Sequence, residues 1–160
     1  MVSIMKNIFL SRPTWVGPEY EQGLELFIRY LTDSNFSPRT LGTTDYPTQS
    51  PLDEVILLMQ QCKGAIILGY PQIFIESGRI KNETIDSPIS LGTEWNHIEA
   101  ALAYSLNIPI LVIHDLNVSR GIFCRGTINS FLYSTDLKNP NWFMENDILG
   151  ALKTWGNRLS

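Results

Sequence analysis

Glu99 is the residue whose chemical type and position together most favour catalysis. The sequence around it has helical apolar spacing, with intervals of three and four: Trp95, Ile98, Leu102 and Leu106. Glu99 lies four residues after Trp95 and three before Leu102, so we expect it at the border of one buried stripe. Partial burial there raises the pKa of a carboxyl group, while the positive end of a helix lowers it. Such a carboxylate could attack an electrophile or stabilise developing positive charge.

The other polar and aromatic residues of this segment have structural explanations. Glu94 falls in the first turn of the predicted helix, where the helix dipole stabilises a carboxylate. His97 is expected to be exposed or to have its hydrogen bonds satisfied. Trp95 is expected in the core, with stacking on a substrate as its alternative role. For Glu99, the structural alternative is a boundary residue paired with a lysine or an arginine.

Apolar runs and helical patterns alternate along the chain and predict the elements that position these residues. Strands are expected at 6–10, 36–41, 65–69, 110–115 and 130–134, and helices at 19–33, 51–61, 94–103 and 141–159. The connection 70–91 is expected to be long and irregular. This order predicts one α/β domain over 1–160, with a doubly wound, mostly parallel sheet of four to five strands and helices on both faces.

Ligands of such a sheet bind beyond the carboxyl ends of its strands, where the strand order reverses. Suitable side chains follow the first and third predicted strands, and one lies at the end of the fourth. Arg12 could bind a phosphate, or could be a solvated loop residue. Trp15 could stack on a base, and Tyr70 could line the pocket. His114 ends the fourth strand, where a structural hydrogen bond is as good an explanation as ligand binding.

Composition and charge exclude several classes of partner. The chain has 160 residues, a formal net charge of −4 and no basic cluster, which argues against nucleic acid or an anionic membrane. Its apolar runs are shorter than the roughly 20 residues of a membrane span, and no signal peptide is visible, so we expect a cytoplasmic protein. The two cysteines, Cys62 and Cys124, do not make a disulfide framework.

Residue spacing also excludes several kinds of site. The two histidines and two cysteines are not at the intervals of metal ligands, so we expect no bound metal. The sequence has no G-x-S-x-G nucleophile elbow, and no G-x-G-x-x-G follows the first predicted strand. Gly126 is not followed by Lys-Ser/Thr, so its loop is not a P-loop.

The run 95–99, WNHIE, with Ala103 four residues later, resembles the W-x-x-x-E segment of TIR domains. The run 7–11 is similar to the opening strand of these domains, and 52–68 to the helix and strand before the W-x-x-x-E helix. The resemblance implies a flavodoxin-like or TIR-like sheet. At Glu99 it implies the glutamate that enzymatic TIR domains need to cleave the nicotinamide–ribose bond of NAD. It also implies that Asp45 lies in a mobile, substrate-binding loop after the second strand.

The same region resembles nucleoside 2-deoxyribosyltransferases. In that family a glycine-rich turn leads to Glu-x-Gly-x-Ala, and a proline and a strand follow. The runs 92–93, 99–103 and 109–113 match this pattern, with Ala101 in the place of the glycine. This resemblance implies that Glu99 is the nucleophile of a base exchange between nucleosides.

Both resemblances imply cleavage or transfer at the N-glycosidic bond of a nucleotide or nucleoside. Our first expectation is an NAD hydrolase or cyclase with Glu99 as its catalytic residue, NAD being a substrate and no cofactor being required. One carboxylate suffices because nicotinamide leaves as a neutral molecule, whereas a sugar leaving group must be protonated. The alternatives are a deoxyribosyltransferase and a non-enzymatic module that senses a nucleotide or forms a homo-oligomer. The family resemblance also suggests a role in signalling or antiphage defence.

Overall fold

Five parallel strands form the central sheet of the computed structural model, which describes residues 4–128 and 131–160. The strands in chain order are β1 (Lys6–Ser11), β2 (Phe36–Arg39), β3 (Gly64–Gly69), β4 (Ile73–Ile75), β5 (Arg79–Ile80), β6 (Glu83–Thr84), β7 (Ile89–Leu91), β8 (Ile110–Asp115) and β9 (Phe131–Thr135). The central sheet has the order β2-β1-β3-β8-β9. The predicted doubly wound α/β fold is therefore confirmed, with the strand order of flavodoxin-like sheets. Ser130, where the last strand was expected to begin, lies outside the described residues.

Helices cover both faces of this sheet: α1 (Pro18–Asp33), α2 (Pro51–Gln60), α3 (Glu94–Ser105) and α4 (Asn146–Gly156). Proline occupies the first position of α1 and α2, where its missing N–H costs nothing. Thr93 caps α3, because its hydroxyl accepts a hydrogen bond from the N–H of Trp95 at 3.3 Å. The last helix is shorter than expected, since Trp142–Met144 forms a separate 3₁₀ turn before it.

The two faces of the sheet bury separate apolar clusters, because successive side chains of a strand point to opposite faces. Ile8 and Leu10 of β1 belong to the cluster beneath α1 and α4. Phe9 belongs to the cluster beneath α2 and α3. The same alternation places Ser11, the last residue of β1, on the α3 face. It places Tyr70, which follows β3, with the α1 and α4 cluster.

The connection between β3 and α3 is more regular than predicted. It contains two small antiparallel ribbons, one formed by β4 and β7 and the other by β5 and β6. The β-branched and aromatic residues of β4 suit an extended conformation. The N–H of Ser90 in β7 donates to the carbonyl of Asn117 at 3.3 Å, which ties the first ribbon to the loop after β8.

The prediction of the buried face of α3 is wrong. Trp95 and Ile98 are 41% and 40% exposed, and Leu102 and Leu106 are only partly buried. The helix instead buries Asn96, Glu99, Ala100 and Ala103. The two alanines let α3 approach β3 closely, so the larger apolar side chains lie at its flanks. Glu99 is therefore part of the buried face itself rather than of its border.

Candidate functional site

A pocket of about 400 Å³ opens at the carboxyl edge of the sheet, where the strand order reverses between β1 and β3. This is the position at which doubly wound sheets bind ligands, and its volume is within the range of small-molecule sites. The loops after β1, β2 and β3 meet the start of α3 here. Among its lining residues are Arg12, Thr40, Gln72, Thr93, Trp95 and Glu99. We call this cavity the Glu99 pocket.

Glu99 is the acidic group of this pocket and is almost fully withdrawn from solvent, at 6% exposure. Burial disfavours the charged form of the carboxyl group and raises its pKa to about 8, although the hydrogen bond from Ser11 opposes this shift. This pKa favours the protonated form of Glu99 at neutral pH. A cation that binds beside it would favour the carboxylate.

A short hydrogen-bond network fixes Glu99 against the end of β1. The hydroxyl of Ser11 donates to Oε1 of Glu99 at 3.1 Å. The side-chain amide of Asn96 donates to Oγ of Ser11 at 2.9 Å and to the carbonyl of Leu68 at 3.2 Å. The amide oxygen of Asn96 is buried without a partner. This series of hydrogen bonds, from the carbonyl of Leu68 through Asn96 and Ser11, holds one carboxyl oxygen of Glu99 in place.

Arg12 supplies a positive charge to the same pocket. Its Nε donates to the carbonyl of Pro13 at 3.1 Å, and no acidic side chain of the described residues forms a salt bridge with it. Partial burial lowers its pKa, which reflects the unfavourable desolvation of its charge. A partly buried guanidinium without a carboxylate partner is suited to bind a phosphate.

Trp95 lies at the rim of the Glu99 pocket, one turn before the carboxylate on α3. We expected a core residue, with stacking as the alternative. Its exposure of 41% shows that it is not a core residue, and leaves its ring available to a ligand. The pocket thus combines a buried carboxyl group, a guanidinium and an aromatic ring.

The remaining residues predicted for the site lie elsewhere. Trp15 lines a neighbouring cavity, and its carbonyl accepts a hydrogen bond at 3.1 Å from the side chain of Gln72, which lines the Glu99 pocket. Asp45 accepts a hydrogen bond from Nε of Arg39 at 2.9 Å, and this bond lowers the pKa of the aspartate. Tyr70 is fully buried on the opposite face of the sheet. His114 contacts Phe123, at 5.5 Å between ring centroids, and its Nδ1 lies 2.9 Å from the carbonyl of Asp115.

His97 has the structural role that its sequence position suggested. Its Nδ1 accepts a hydrogen bond from the N–H of Ile122 at 3.2 Å, and its ring packs edge-on against Phe123. Burial lowers the pKa of the imidazole, which favours the neutral form that can accept this bond. His97 therefore holds the 3₁₀ turn Gly121–Phe123 against α3.

Ser11 and Asn96 are site residues that we did not select from the sequence. A signal for each is present in hindsight. Ser11 is two residues after Phe9 on a strand, so it shares the face of Phe9. Asn96 is three residues before Glu99, so both lie on one side of a helix. A second arginine that could bind an anion, Arg125, lines a different cavity beside β9.

The described ranges 4–128 and 131–160 contain no cluster of three or more histidine, cysteine, aspartate or glutamate side chains placed to hold a metal ion. Over the same ranges, no helix has both the length and the apolar character that crossing a membrane requires.

No model of a known protein family matches the chain, and a search of curated proteins finds no significant relative. The family resemblance therefore depends on the residues quoted above. The fold and the site together define a doubly wound α/β protein with a buried glutamic acid in a pocket at the switch point of its sheet.

Proposed function

We propose that this protein cleaves the N-glycosidic bond of a nucleotide, with NAD as the first candidate substrate and Glu99 as the catalytic residue. One observation carries the proposal: the buried carboxyl group of Glu99 shares a pocket with Arg12 and Trp95. These groups match the carbon–nitrogen bond, the phosphate and the aromatic base of a nucleotide. The similarity of 95–99 to the TIR segment supports the same substrate.

The proposed reaction breaks the bond between C1′ of the ribose and the nicotinamide nitrogen. The electron pair of this bond neutralises the positive charge of the pyridinium ring, so nicotinamide leaves without a proton. Glu99 either stabilises the resulting oxocarbenium ion or forms an ester at C1′. Water then adds to C1′ and releases one proton. Ser11 holds one carboxylate oxygen of Glu99, which leaves the other oxygen for the sugar.

The pKa of Glu99 links this reaction to pH. The mechanism requires the carboxylate, whereas a pKa of about 8 favours the protonated form of Glu99 at neutral pH. The positive charge of the NAD pyridinium ring compensates for part of the desolvation that raises this pKa. Binding of NAD is therefore expected to release a proton from Glu99.

The value of kcat/KM for NAD is expected to rise about tenfold per pH unit up to pH 8 and to level off above it, because kcat/KM follows the ionisation of the free enzyme. Initial rates of nicotinamide release from pH 5.5 to 9.5 measure this profile. A decline above pH 8 would instead show that the protonated acid is active. If kcat/KM did not change with pH, ionisation of Glu99 would not control the reaction.

Replacement of Arg12 by Ala is expected to raise KM for NAD by about 10- to 100-fold and to change kcat only severalfold, because a charge-assisted hydrogen bond to a phosphate contributes about 1.5–3 kcal/mol. Steady-state kinetics of nicotinamide release measure both constants. Arg125→Ala is the matched control, since Arg125 lines a separate cavity and should leave KM unchanged. Equal effects of the two substitutions would contradict phosphate binding by Arg12.

Base exchange between nucleosides is the second candidate function. The volume of the Glu99 pocket, about 400 Å³, favours it, because this space suits a nucleoside without a second nucleotide. Incubation with a deoxynucleoside and a free base, followed by chromatography, distinguishes exchange from the hydrolysis of NAD. A rise in melting temperature with a nucleotide, without turnover of either substrate, would instead support a sensing module.

We also propose a cytoplasmic location. Cys62 and Cys124 are both free thiols, and burial raises the pKa of Cys62 to about 11, so it is an unreactive core residue. Free thiols are common in reducing compartments.

A further inference from the structure

A second cavity, of about 480 Å³, opens beside the Glu99 pocket at the same edge of the sheet. Its lining comes from the loop before α1, the start of α1, the segment after β3, the loop after β8 and the turn that follows β9. We propose that this cavity binds a nucleobase. We call it the Trp15 cavity.

Three aromatic residues contribute to the walls of the Trp15 cavity. Trp15 and Phe74 both line it, and both are 62% exposed, so their rings are accessible to a ligand. Tyr20 is a further lining residue, and its ring is buried against Tyr70, with 5.6 Å between the ring centroids. Rings arranged around one cavity fit a planar heterocycle, since base–aromatic stacking needs only a ring face.

Polar groups in the same cavity could form hydrogen bonds with the edge of a base. The amide nitrogen of Asn117 donates to Asp115 at 3.2 Å, which leaves the amide oxygen to accept from an exocyclic amine. Nζ of Lys138 lies 5.9 Å from the centre of the Tyr20 ring and carries a positive charge. Glu19, which also lines the cavity, carries a negative charge. The formal charges of these two residues cancel, which suits a neutral base better than an isolated anion.

The side chain of Gln72 lies at the boundary between the two cavities. Gln72 lines the Glu99 pocket, and its side-chain amide donates to the carbonyl of Trp15 at 3.1 Å. Thr14 and Gln72 line one cavity, whereas their sequence neighbours Trp15 and Pro71 line the other. A base in the Trp15 cavity could therefore be the far half of a dinucleotide whose other half lies beside Glu99, or it could belong to a separate nucleotide. The alternative in which the base belongs to a dinucleotide rests on the proposed function, whereas binding of a base in the Trp15 cavity does not.

Calorimetric titration with adenosine 5′-monophosphate tests the base site without any turnover. The wild-type protein is expected to bind this nucleotide, and the double variant Trp15→Ala/Phe74→Ala to bind it at least about tenfold more weakly, because it lacks the stacking rings. Both side chains are largely exposed, so the variant should fold. Tyr104→Ala, which removes an exposed aromatic ring from the last part of α3, should leave the affinity unchanged. Ribose 5-phosphate, which lacks the base, should bind much more weakly than the nucleotide.

Trp95→Ala identifies the cavity that is occupied. An affinity that falls with Trp95→Ala but not with the double variant would overturn the proposal, because the base would then lie in the Glu99 pocket. Equal affinity of the wild type and the double variant, or no binding of the nucleotide at millimolar concentration, would overturn it as well. These results are independent of whether the protein releases nicotinamide, so failure of the base site and failure of the proposed function can be told apart.

Competition kinetics distinguish the two sources of the base. If the base is the far half of a dinucleotide, adenosine 5′-monophosphate will compete with NAD but not with nicotinamide mononucleotide. If it belongs to a separate nucleotide, inhibition or activation will be non-competitive with both substrates. Competition of equal strength against both substrates would overturn the proposal, since the nucleotide would then occupy the Glu99 pocket.

Discussion

Replacement of Glu99 by Gln is expected to reduce nicotinamide release from NAD by a factor of about 10³ or more, the usual scale for loss of a catalytic side chain. Glutamine has nearly the shape of glutamate, and its carbonyl oxygen can accept the hydrogen bond that Ser11 now donates at 3.1 Å. It cannot carry the negative charge that stabilises the oxocarbenium ion or attacks C1′. The variant therefore removes the charge of the site and keeps its geometry.

Free nicotinamide, separated by chromatography after incubation with NAD, measures this effect. Glu94→Gln is the matched control, because Glu94 is an exposed carboxylate of the same helix and does not line the pocket. Its activity should equal that of the wild type. Retention of most activity by Glu99→Gln, or an equal loss in both variants, would be incompatible with catalysis by Glu99.

The second large effect concerns the free energy of unfolding. The carboxylate that serves activity is expected to destabilise the folded protein. Burial raises the pKa of Glu99 from its ordinary value of 4.5 to about 8, so the folded state binds the proton more tightly than the unfolded state between these pH values. This contribution to stability is fully present below pH 4.5 and is lost as the pH rises through 8. At about 1.4 kcal/mol per pH unit, the total loss is on the order of 5 kcal/mol.

Urea unfolding of the wild type and of Glu99→Gln, followed from pH 4.5 to 8.5, tests this expectation. The free energy of unfolding of the variant minus that of the wild type should increase by several kcal/mol over this range, since glutamine does not titrate. The difference cancels the titration of all other groups. The same difference for Glu94→Gln should change far less over this range, because Glu94 is exposed. A constant difference between Glu99→Gln and the wild type would show that the pKa of Glu99 is not raised.

These two predictions describe one property of the site. A buried carboxyl group that must become charged destabilises the folded protein, and it remains useful only if the charge serves a ligand. An inactive variant that is more stable than the wild type at neutral pH would be the combined signature of a functional carboxylate. A structural glutamate, by contrast, is expected to stabilise the fold through a partner. Among the described residues, Glu99 has no lysine or arginine within salt-bridge distance.

The order of elements was predictable because it follows from local patterns. The apolar runs around β1, β3 and β8 are short and end in loop residues, and the helices between them have clear starts. Pro38 within β2 favours an edge position, because proline cannot donate to a neighbouring strand, and β2 does lie at the end of the sheet order. The ribbons in 70–91 were missed because their strands have only two or three residues, too few for a recognisable alternation.

The composition of the site was only partly predictable. Arg12, Trp95 and Glu99 do line one pocket. Tyr70 could have been excluded from it, because residues of β3 alternate between the faces and Tyr70 shares the face of Ile66 and Leu68. The ion pair of Arg39 with Asp45 was not predictable, since it depends on the path of the loop after β2.

The sequence by itself determined the doubly wound class of fold, and it identified Glu99 as the polar residue that needs an explanation. Only the tertiary structure decided which face of α3 is buried. Two adjacent faces of this helix carry apolar residues. From the sequence alone, the face with Trp95 and Ile98 is favoured for burial, because its apolar side chains are larger. Close packing against the sheet favours the other, because small alanines allow the helix to approach it. That choice moves Glu99 from the border of the helix to its buried face, where desolvation raises its pKa to about 8.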